Sequence, residues 1–382
     1  MQKFKLVRGM SRLVLSLAVG MMATAVQAED GVTDNTILIG QTVGLTGQIA
    51  GPVKEMTAGA NAYIANVNKN GGVHGRKLEL RTLDDKFDPA TAAKNAETLI
   101  KKDHVFALFQ SRGTPHTQAI LPLLAADKVP LIAPSTGAMV FHSPVNRYVF
   151  NVRAKYQDEV HKAVEQFSTI GIKDIAMIHV DDSFGNDAME GFNSAMDKFK
   201  LKPSVIVKFA RVKPDVKATV AAAIASKAKA VILASSATTA AEIIRGLRAQ
   251  DPALQIMTLS NNASQSFIDA LGPVATGVIV SQIMPAPYLM STILGQEFRL
   301  VAKSYDVPVS YAAMEGFVSA KVLVEGLRRS GRNLTRDGLI RALETMRHYD
   351  LGGLMVSYSD KDHGGSEFVD LTMIGRDGKF LR

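Results

Sequence analysis

Residues 68–89 read NKNGGVHGRKLELRTLDDKFDP, and the reading of this stretch decides the fold. Its first glycine pair is typical of a helix end, because glycine enters the left-handed region that closes the last turn. KLELRTL (77–83) alternates apolar and polar residues, which predicts a strand with one buried face. Asp88 and Pro89 predict the cap and the first residue of a second helix. As a metal site the stretch is poor, because it offers one histidine and two adjacent aspartates whose side chains diverge on a strand. It therefore predicts a helix–strand–helix scaffold.

The same alternation of strands and helices runs along most of the chain. The strand-like runs are 36–43, 77–83, 105–109, 129–134, 174–180, 204–209, 230–234, 255–260 and 277–284. Helix-like segments lie between them, and this order is typical of parallel βαβ units. Three helical segments, about 292–304, 311–330 and 335–345, then follow without strands between them, and two strand-like runs end the chain. We therefore predict an α/β protein with two βα halves.

The first 28 residues have the pattern of a secretory signal peptide. They contain four basic residues and no acid, followed by the apolar run LVLSLAVGMMATAV (13–26) and small residues up to Ala28. The run is too short to span a bilayer comfortably. We expect cleavage before Glu29 and a mature, exported chain in the periplasm. Removing those four basic residues lowers the formal charge from +8 to +4.

Composition excludes several classes of function. A mature charge of +4 without a basic cluster does not favour nucleic-acid binding. The chain has no cysteine, so disulfides, thiol nucleophiles and thiolate metal sites are excluded. The eight histidines are scattered without ligand spacing, and no G-x-S-x-G motif follows a strand. We expect no catalytic residues, no metal and no cofactor.

Several stretches, in order and with the expected spacing, resemble the branched-chain amino-acid binding family, the type I periplasmic binding proteins of ABC importers. The resemblance runs from about Ile37 to the C-terminus. Besides residues 68–100, the matching stretches are IGQTVGLTGQIAGP, KVPLIAPSTGA, RYVFNVRAKYQDE, IAMIHVDDSFGNDAMEGF and YAAMEGFVSAKVLVEGL. The resemblance implies two Rossmann-like lobes with parallel sheets, joined by three crossovers, with ligand bound between the lobes. The lobes would comprise residues 31–152 plus 285–350 and residues 153–284 plus 351–382.

Two loops of the first lobe are implied to hold a ligand carboxylate. They are QSRGTPH (110–116) and PSTGA (134–138), each after a strand. In open parallel sheets the crevice beyond the carboxyl ends of the strands binds ligands. By position the resemblance selects Ser111, Thr114, Ser135 and Thr136. Arg112 is unusual in such a loop, and it either pairs with a carboxylate or points to solvent. These residues also suit helix capping.

The second lobe departs from the leucine-binding pattern. Phe184 stands where the family has an aromatic residue over the ligand. The loop that contains Ser236 has no aromatic residue, and the loop that contains Asn261 lacks the glutamate that pairs with a substrate ammonium. Either Asp182 or Glu315 replaces that acid, or the ligand has no amino group, because a buried ammonium needs a partner. Thr46, in the first loop, is a further candidate ligand contact.

Three functions are compatible with these features. The resemblance implies a binding protein that captures an amino acid or a related small carboxylate by hinge closure and delivers it to an ABC permease in the inner membrane. The alternatives are a binding protein for another ligand (an aromatic or aliphatic carboxylate or an amide) or a ligand-sensing accessory of a membrane receptor. An exported enzyme is disfavoured, because no trusted catalytic set is present. We expect a monomer that binds no nucleic acid.

Overall fold

The computed structural model describes residues 29–381, and it contains two large sheets covered by helices. The first sheet has the strand order β2-β1-β3-β4-β5, and all of its pairs are parallel. Its strands are β1 (Thr36–Val43), β2 (Lys77–Asp84), β3 (Ala107–Phe109), β4 (Leu131–Ile132) and β5 (Val149–Phe150). The helices between them are α1 (Ala50–Lys69), α2 (Pro89–Lys101) and α3 (Thr114–Asp127).

The second sheet has the order β15-β14-β10-β9-β8-β6-β7, with β14 and β15 antiparallel to their neighbours. Its first five strands are β6 (Ile175–Val180), β7 (Val205–Phe209), β8 (Ala230–Ala234), β9 (Gln255–Thr258) and β10 (Val278–Gln282). The accompanying helices are α4 (Tyr156–Thr169), α5 (Ser183–Lys198), α6 (Val216–Ala225), α7 (Ala237–Gln250) and α8 (Gln265–Leu271). The central strands are buried on both faces and consist mainly of apolar residues, as parallel strands covered by helices require.

After β10 the chain returns to the first lobe and then crosses again. The returning helices are α9 (Ile293–Ser304), α10 (Tyr311–Arg329) and α11 (Arg336–Glu344), and α10 packs along α1. A small sheet follows, made of β11 (Tyr349–Asp350), β12 (Met355–Ser359) and β13 (Asp362–Gly365). The last strands, β14 (Asp370–Ile374) and β15 (Phe380–Leu381), extend the second sheet. The chain thus passes three times between two Rossmann-like lobes, as predicted.

The predicted boundaries between the two lobes stay a prediction, and one of them, at residues 350/351, falls within the small sheet. β12 and β13 belong to the segment assigned to the second lobe, but they lie beside β5 of the first sheet. The ring of His363 stacks on Phe150 with centroids 3.8 Å apart, and the Tyr358 hydroxyl donates to the Asn151 carbonyl over 2.6 Å. This sheet therefore braces the crossover region itself.

Residues 68–89 fold as the sequence predicts. α1 ends at Lys69, and the two glycines that follow have φ of 94° and 71°. β2 pairs with β1 along its whole length. The Asp88 carboxylate accepts a hydrogen bond from the Thr91 amide over 2.8 Å, and Pro89 opens α2.

Within residues 29–381 no helix is long and apolar enough to cross a membrane. The same part of the chain contains no group of three or more histidine, aspartate or glutamate side chains placed to hold a metal ion. The predicted signal peptide, residues 1–28, lies outside the described residues.

Candidate functional site

A narrow cavity of about 30 Å³ lies between the two lobes, where the parallel strands of both sheets end. This is the position at which open α/β sheets bind ligands. The lining residues come from both lobes: Ile49, Phe87, Arg112, Gly113, Thr114, Ser135, Tyr156, Phe184, Arg211, Ser236 and Asn261. Its small volume indicates lobes that are closed on each other.

Three loops of the first lobe reach the cavity through strained backbone. Gln110 directly follows β3 and has φ of 48°, Ala133 directly follows β4 and has φ of 56°, and Phe87 follows β2 with φ of 58°. A left-handed conformation costs a residue other than glycine roughly 1–2 kcal/mol. Such strain is kept where surrounding structure demands a particular side-chain direction, and it clusters at functional sites. Here the left-handed residue turns the backbone of each loop sharply from the preceding strand into the cleft.

Arg112 is the buried cation of the cavity wall, with 5% of its surface exposed. Its Nη2 donates to the Asn261 carbonyl across the cleft over 2.8 Å, and its Nη1 lies 3.5 Å from both the Met56 sulfur and the Ser135 hydroxyl. Burial lowers the pKa of the guanidinium, whereas the nearby Glu315 opposes that shift. No carboxylate contacts this guanidinium directly among the described residues, so it can accept an anionic ligand.

Behind the wall lies a buried ionic network, in which Arg153 Nη1 lies 3.9 Å from Glu315 Oε1 and has no hydrogen-bond partner among the described residues. The Ser135 hydroxyl donates to Glu315 Oε1 over 2.8 Å. Arg153 donates from Nη2 to Glu159 Oε1 over 2.6 Å and to the Ser260 hydroxyl over 2.7 Å. Glu159 also accepts from the Ser260 amide over 2.9 Å. Burial acts against the charge of Arg153, but Tyr156 and the carboxylates of Glu159 and Glu315 together raise its pKa. This network fixes the loop after β9.

Hydroxyl groups and helix ends complete the polar side of the cavity. The Thr114 and Thr136 hydroxyls lie 2.8 Å apart, and Thr136 also pairs with the Tyr156 hydroxyl. α3, α4 and α7 all begin at the cavity, and none of them has a side-chain hydrogen bond at its N-cap. Each such N-terminus has a partial positive charge and free N–H groups, which favour an anion.

The opposite wall combines aromatic rings with a second arginine. Arg211 follows β7, forms an ion pair with Asp182, and places its guanidinium 4.9 Å from the centroid of Phe87 in the other lobe. The rings of Tyr156 and Phe184 are 4.7 Å apart. Since Asp182 already neutralises Arg211 and caps α5, it is not free to pair with a ligand ammonium.

The structure brings six of the ten predicted site residues to the cavity wall. These six residues are Arg112, Thr114, Ser135, Phe184, Ser236 and Asn261. Their contact with ligand stays a prediction. The Ser236 hydroxyl donates across the cleft to Gln48 Oε1 over 3.0 Å, so it also joins the two lobes.

The other four predicted residues lie behind or beside the wall. The Thr46 hydroxyl donates to Asp84 over 2.7 Å, and the Ser111 hydroxyl pairs with Thr117 at 3.0 Å. Thr136 and Glu315 hold Thr114 and Ser135 in place, as described above.

Sequence reasoning did not select Ile49, Phe87, Gly113 or Arg211 as site residues. The stacking of Phe87 with Arg211 joins two lobes, so no local pattern shows it. Gly113 could have been recognised from the sequence. In the structure it has φ of 97°, and an added Cβ would lie 2.6 Å from the His116 ring. A glycine between a strand and a helix is a typical mark of such a tight approach.

Two larger hollows lie elsewhere, one of about 470 Å³ beside His142 and Phe368 and one of about 530 Å³ beside Tyr288 and Phe380. The interlobe cavity is the better candidate, because it alone of these three contains the buried Arg112 at the carboxyl ends of the strands.

Comparison with known proteins agrees with this geometry. The model of the periplasmic binding protein family matches residues 36–379. The chain belongs to the periplasmic binding protein family. Its similarity to branched-chain amino-acid binding proteins, predicted from the sequence, is confirmed, as is the type I fold. Members of this family are ligand-binding proteins of the periplasm.

Two solved structures show the likeness of the fold. A substrate-binding periplasmic protein from Ralstonia solanacearum is 29% identical, with a TM-score of 0.85 over 90% of this chain and 99% of that one. A possible leucine/isoleucine/valine-binding protein from Rhodopirellula baltica is 25% identical, with a TM-score of 0.86 over 94% of this chain and 98% of that one.

A curated relative from Pseudomonas aeruginosa, described as an amino acid binding protein, is 23% identical over 245 residues. The alignment covers 63% of this chain and 65% of that relative. The chain thus spans less than two thirds of the length of the curated relatives it matches.

Proposed function

We propose that this periplasmic binding protein is the substrate-binding component of an ABC importer and captures a small organic carboxylate between its lobes. The ligand would sit on Arg112 and the N-termini of α3 and α7, and an inner-membrane permease would receive it. The family match and the relatives that are described as binding amino acids support this role. No chemical step is part of the proposal.

The observation that carries this proposal is the position of Arg112. A guanidinium that is 95% buried would be costly unless an anion repaid its desolvation. Arg112 belongs to the first lobe and donates to Asn261 in the second, so an anion bound there contacts both lobes. A ligand that interacts more strongly with the closed form shifts the equilibrium toward closure.

The test compares Arg112→Gln with Arg147→Gln in thermal-shift and calorimetric titrations. The probes are branched-chain amino acids, aliphatic and aromatic carboxylates, dicarboxylates and aliphatic amides. Arg147 pairs with Asp337 on the surface, so its substitution removes one charge far from the cavity. We expect at least one carboxylate to raise the Tm of the wild type and of Arg147→Gln, because a ligand that binds only the folded state stabilises it.

In Arg112→Gln the affinity for that carboxylate should fall about 100-fold, because a charge-assisted hydrogen bond to a buried anion is lost. Two results would overturn the proposal. One is an unchanged affinity in Arg112→Gln. The other is a panel in which amides bind and no carboxylate does.

A further inference from the structure

Asn261 of the second lobe lines the cavity and has an unused hydrogen-bond acceptor. The Asn261 side-chain amide donates both of its protons, to the Ser235 carbonyl over 2.9 Å and to Asn262 Oδ1 over 3.1 Å. These two contacts fix which end of the amide is oxygen. The remaining atom, Oδ1, is buried and has no hydrogen-bond partner within the described part of the chain. A buried acceptor left unpaired is costly, so a ligand that donates a proton to it is favoured.

Ser135 offers no proton to the ligand either. Its single hydroxyl proton goes to Glu315, so its free lone pairs accept rather than donate. The cavity therefore favours a ligand that has a hydrogen-bond donor near Asn261 and Ser135 and an anionic group near Arg112. An α-amino acid supplies both groups, but its donor is a charged ammonium.

An ammonium would meet no free carboxylate there. Within residues 29–381 no aspartate or glutamate lines the cavity. Glu159 is held by Arg153 and Ser260, and Asp182 by Arg211. Glu315 lies behind Ser135 and accepts its proton. A buried ammonium without a direct counter-charge is disfavoured, whereas a neutral donor carries no such cost.

We infer that the ligand is a small hydroxycarboxylate: its carboxylate binds Arg112, and its hydroxyl donates to Asn261 Oδ1. This inference rests on the proposed function and names the ligand class of the same site. A hydroxyl is the smallest neutral donor, which suits the narrow cavity. The Arg112 guanidinium contacts the Asn261 backbone at 2.8 Å, so the two groups of the ligand must be close, as in a 2- or 3-hydroxy acid. The rings of Phe87, Tyr156 and Phe184 would cover its apolar part.

The test uses two sets of three acids that share a carbon skeleton. One set is L-phenylalanine, 3-phenyllactate and 3-phenylpropanoate. The other is L-leucine, 2-hydroxy-4-methylpentanoate and 4-methylpentanoate, with both enantiomers of each hydroxy acid. Calorimetric titration of the full mature protein should show one hydroxy acid binding at least about tenfold more tightly than its amino and unsubstituted counterparts.

Two substitutions at one position sharpen the test. Asn261→Leu removes the acceptor, so the hydroxy acid should lose its advantage while the unsubstituted acid binds within about threefold of its wild-type affinity. Asn261→Asp places a carboxylate there, so affinity should move from the hydroxy acid toward the amino acid. Arg112→Gln should weaken all carboxylates alike.

The inference is overturned if the amino acid binds as tightly as the hydroxy acid in the wild type, or if the unsubstituted acid does. It also fails if none of the six acids binds while another carboxylate does. In each of those cases Arg112-dependent binding would still support the proposed function. Binding that is insensitive to Arg112→Gln would instead overturn the proposed function itself.

Discussion

The carboxylates of Asp84 and Asp85 are adjacent in the chain, but their pKa values are shifted in opposite directions. Asp85 is buried, and burial raises its pKa to about 6 although it accepts hydrogen bonds from Phe87 and Thr42. For Asp84 burial is also the largest influence, but the hydrogen bonds from Thr46, Lys86 and Leu45 together outweigh it and lower its pKa.

Asp85→Asn should therefore stabilise the protein at neutral pH. Between about pH 4 and pH 6 the native Asp85 keeps a proton that the unfolded chain releases, so stability falls as the pH rises through 6. Asparagine does not titrate. The free energy of unfolding of the variant should therefore exceed that of the wild type by on the order of 2 kcal/mol at pH 7.5 and should equal it at pH 3.5. Urea unfolding at the two pH values measures this difference.

Asp84→Asn is the matched control, and its effect on stability at neutral pH should have the opposite sign. The lowered pKa means that ionised Asp84 contributes stability above about pH 4, which is lost as the pH falls through the native pKa. This variant should be less stable than the wild type at pH 7.5. If both variants shift stability in the same direction at pH 7.5, the contrast between the two environments is wrong.

At the level of single residues, the sequence predicts which loops form the site but not where each side chain points. The resemblance selected Ser135 and the loops of Arg112 and Asn261, and all three residues line the cavity, where the carboxyl ends of parallel strands converge. Ser111 occupies one of the same loops but turns inward to Thr117. The left-handed backbone at Gln110 sets these directions, and a glutamine gives no sequence signal for it.

The crossing of α1 and α10 depends on two glycines that meet backbone rather than side chains. A Cβ added to Gly59 would lie 1.9 Å from the Ala313 carbonyl oxygen, and one added to Gly316 would lie 1.8 Å from the Met56 carbonyl oxygen. Backbone atoms cannot rotate away as side chains do. The two helices can therefore approach this closely only with glycine at both positions.

Gly316→Ala should destabilise the protein by about 1–3 kcal/mol, the usual cost of overpacking, although alanine favours a helix. Gly326→Ala on the same helix is the control, because its Cβ would meet the flexible end of Leu343 at 2.7 Å. Thermal and urea unfolding of the two variants should show the larger loss at Gly316. Equal losses would contradict the role of backbone contact.

Long helices and buried strands were predictable as elements, because their hydrophobic periods are local. The predicted helix 311–330 corresponds to α10 at Tyr311–Arg329, and the predicted strand 36–43 is β1. The strands β5, β11 and β15 have two residues each and were missed, since so short a run has no period to detect. The α1–α10 crossing was also beyond sequence reasoning, because it joins segments far apart in the chain.

At the scale of the whole molecule, contacts outside the cavity also join the two closed lobes. Glu55 on α1 accepts hydrogen bonds from the Gln265 and Ser266 amides at the start of α8, over 3.0 and 2.8 Å. Gly51 lies in the first turn of α1, one turn before Glu55. An added Cβ there would lie 2.8 Å from Ser266 Cβ in the second lobe. Full closure thus leaves no room for a side chain at position 51.

Gly51→Ala should separate closure from folding. Alanine favours the helix, so the free protein should unfold at an equal or slightly higher Tm. The closed form would meet a clash between the lobes, so the affinity for the carboxylate that best stabilises the wild type should fall about tenfold. Small-angle X-ray scattering with that carboxylate should show a larger radius of gyration than for the wild type, because closure is incomplete.

The double variant Gly51→Ala, Ser266→Gly decides whether the clash is the cause. Removing the Ser266 side chain restores the space that closure needs, so affinity and compaction should return toward wild-type values. Ser266→Gly alone leaves the Ser266 amide available to Glu55 and should affect binding less than Gly51→Ala does. A double variant as weak as Gly51→Ala would show that position 51 acts through α1 itself. Ligand binding would then be coupled to the conformation of the helix rather than to the approach of the two lobes.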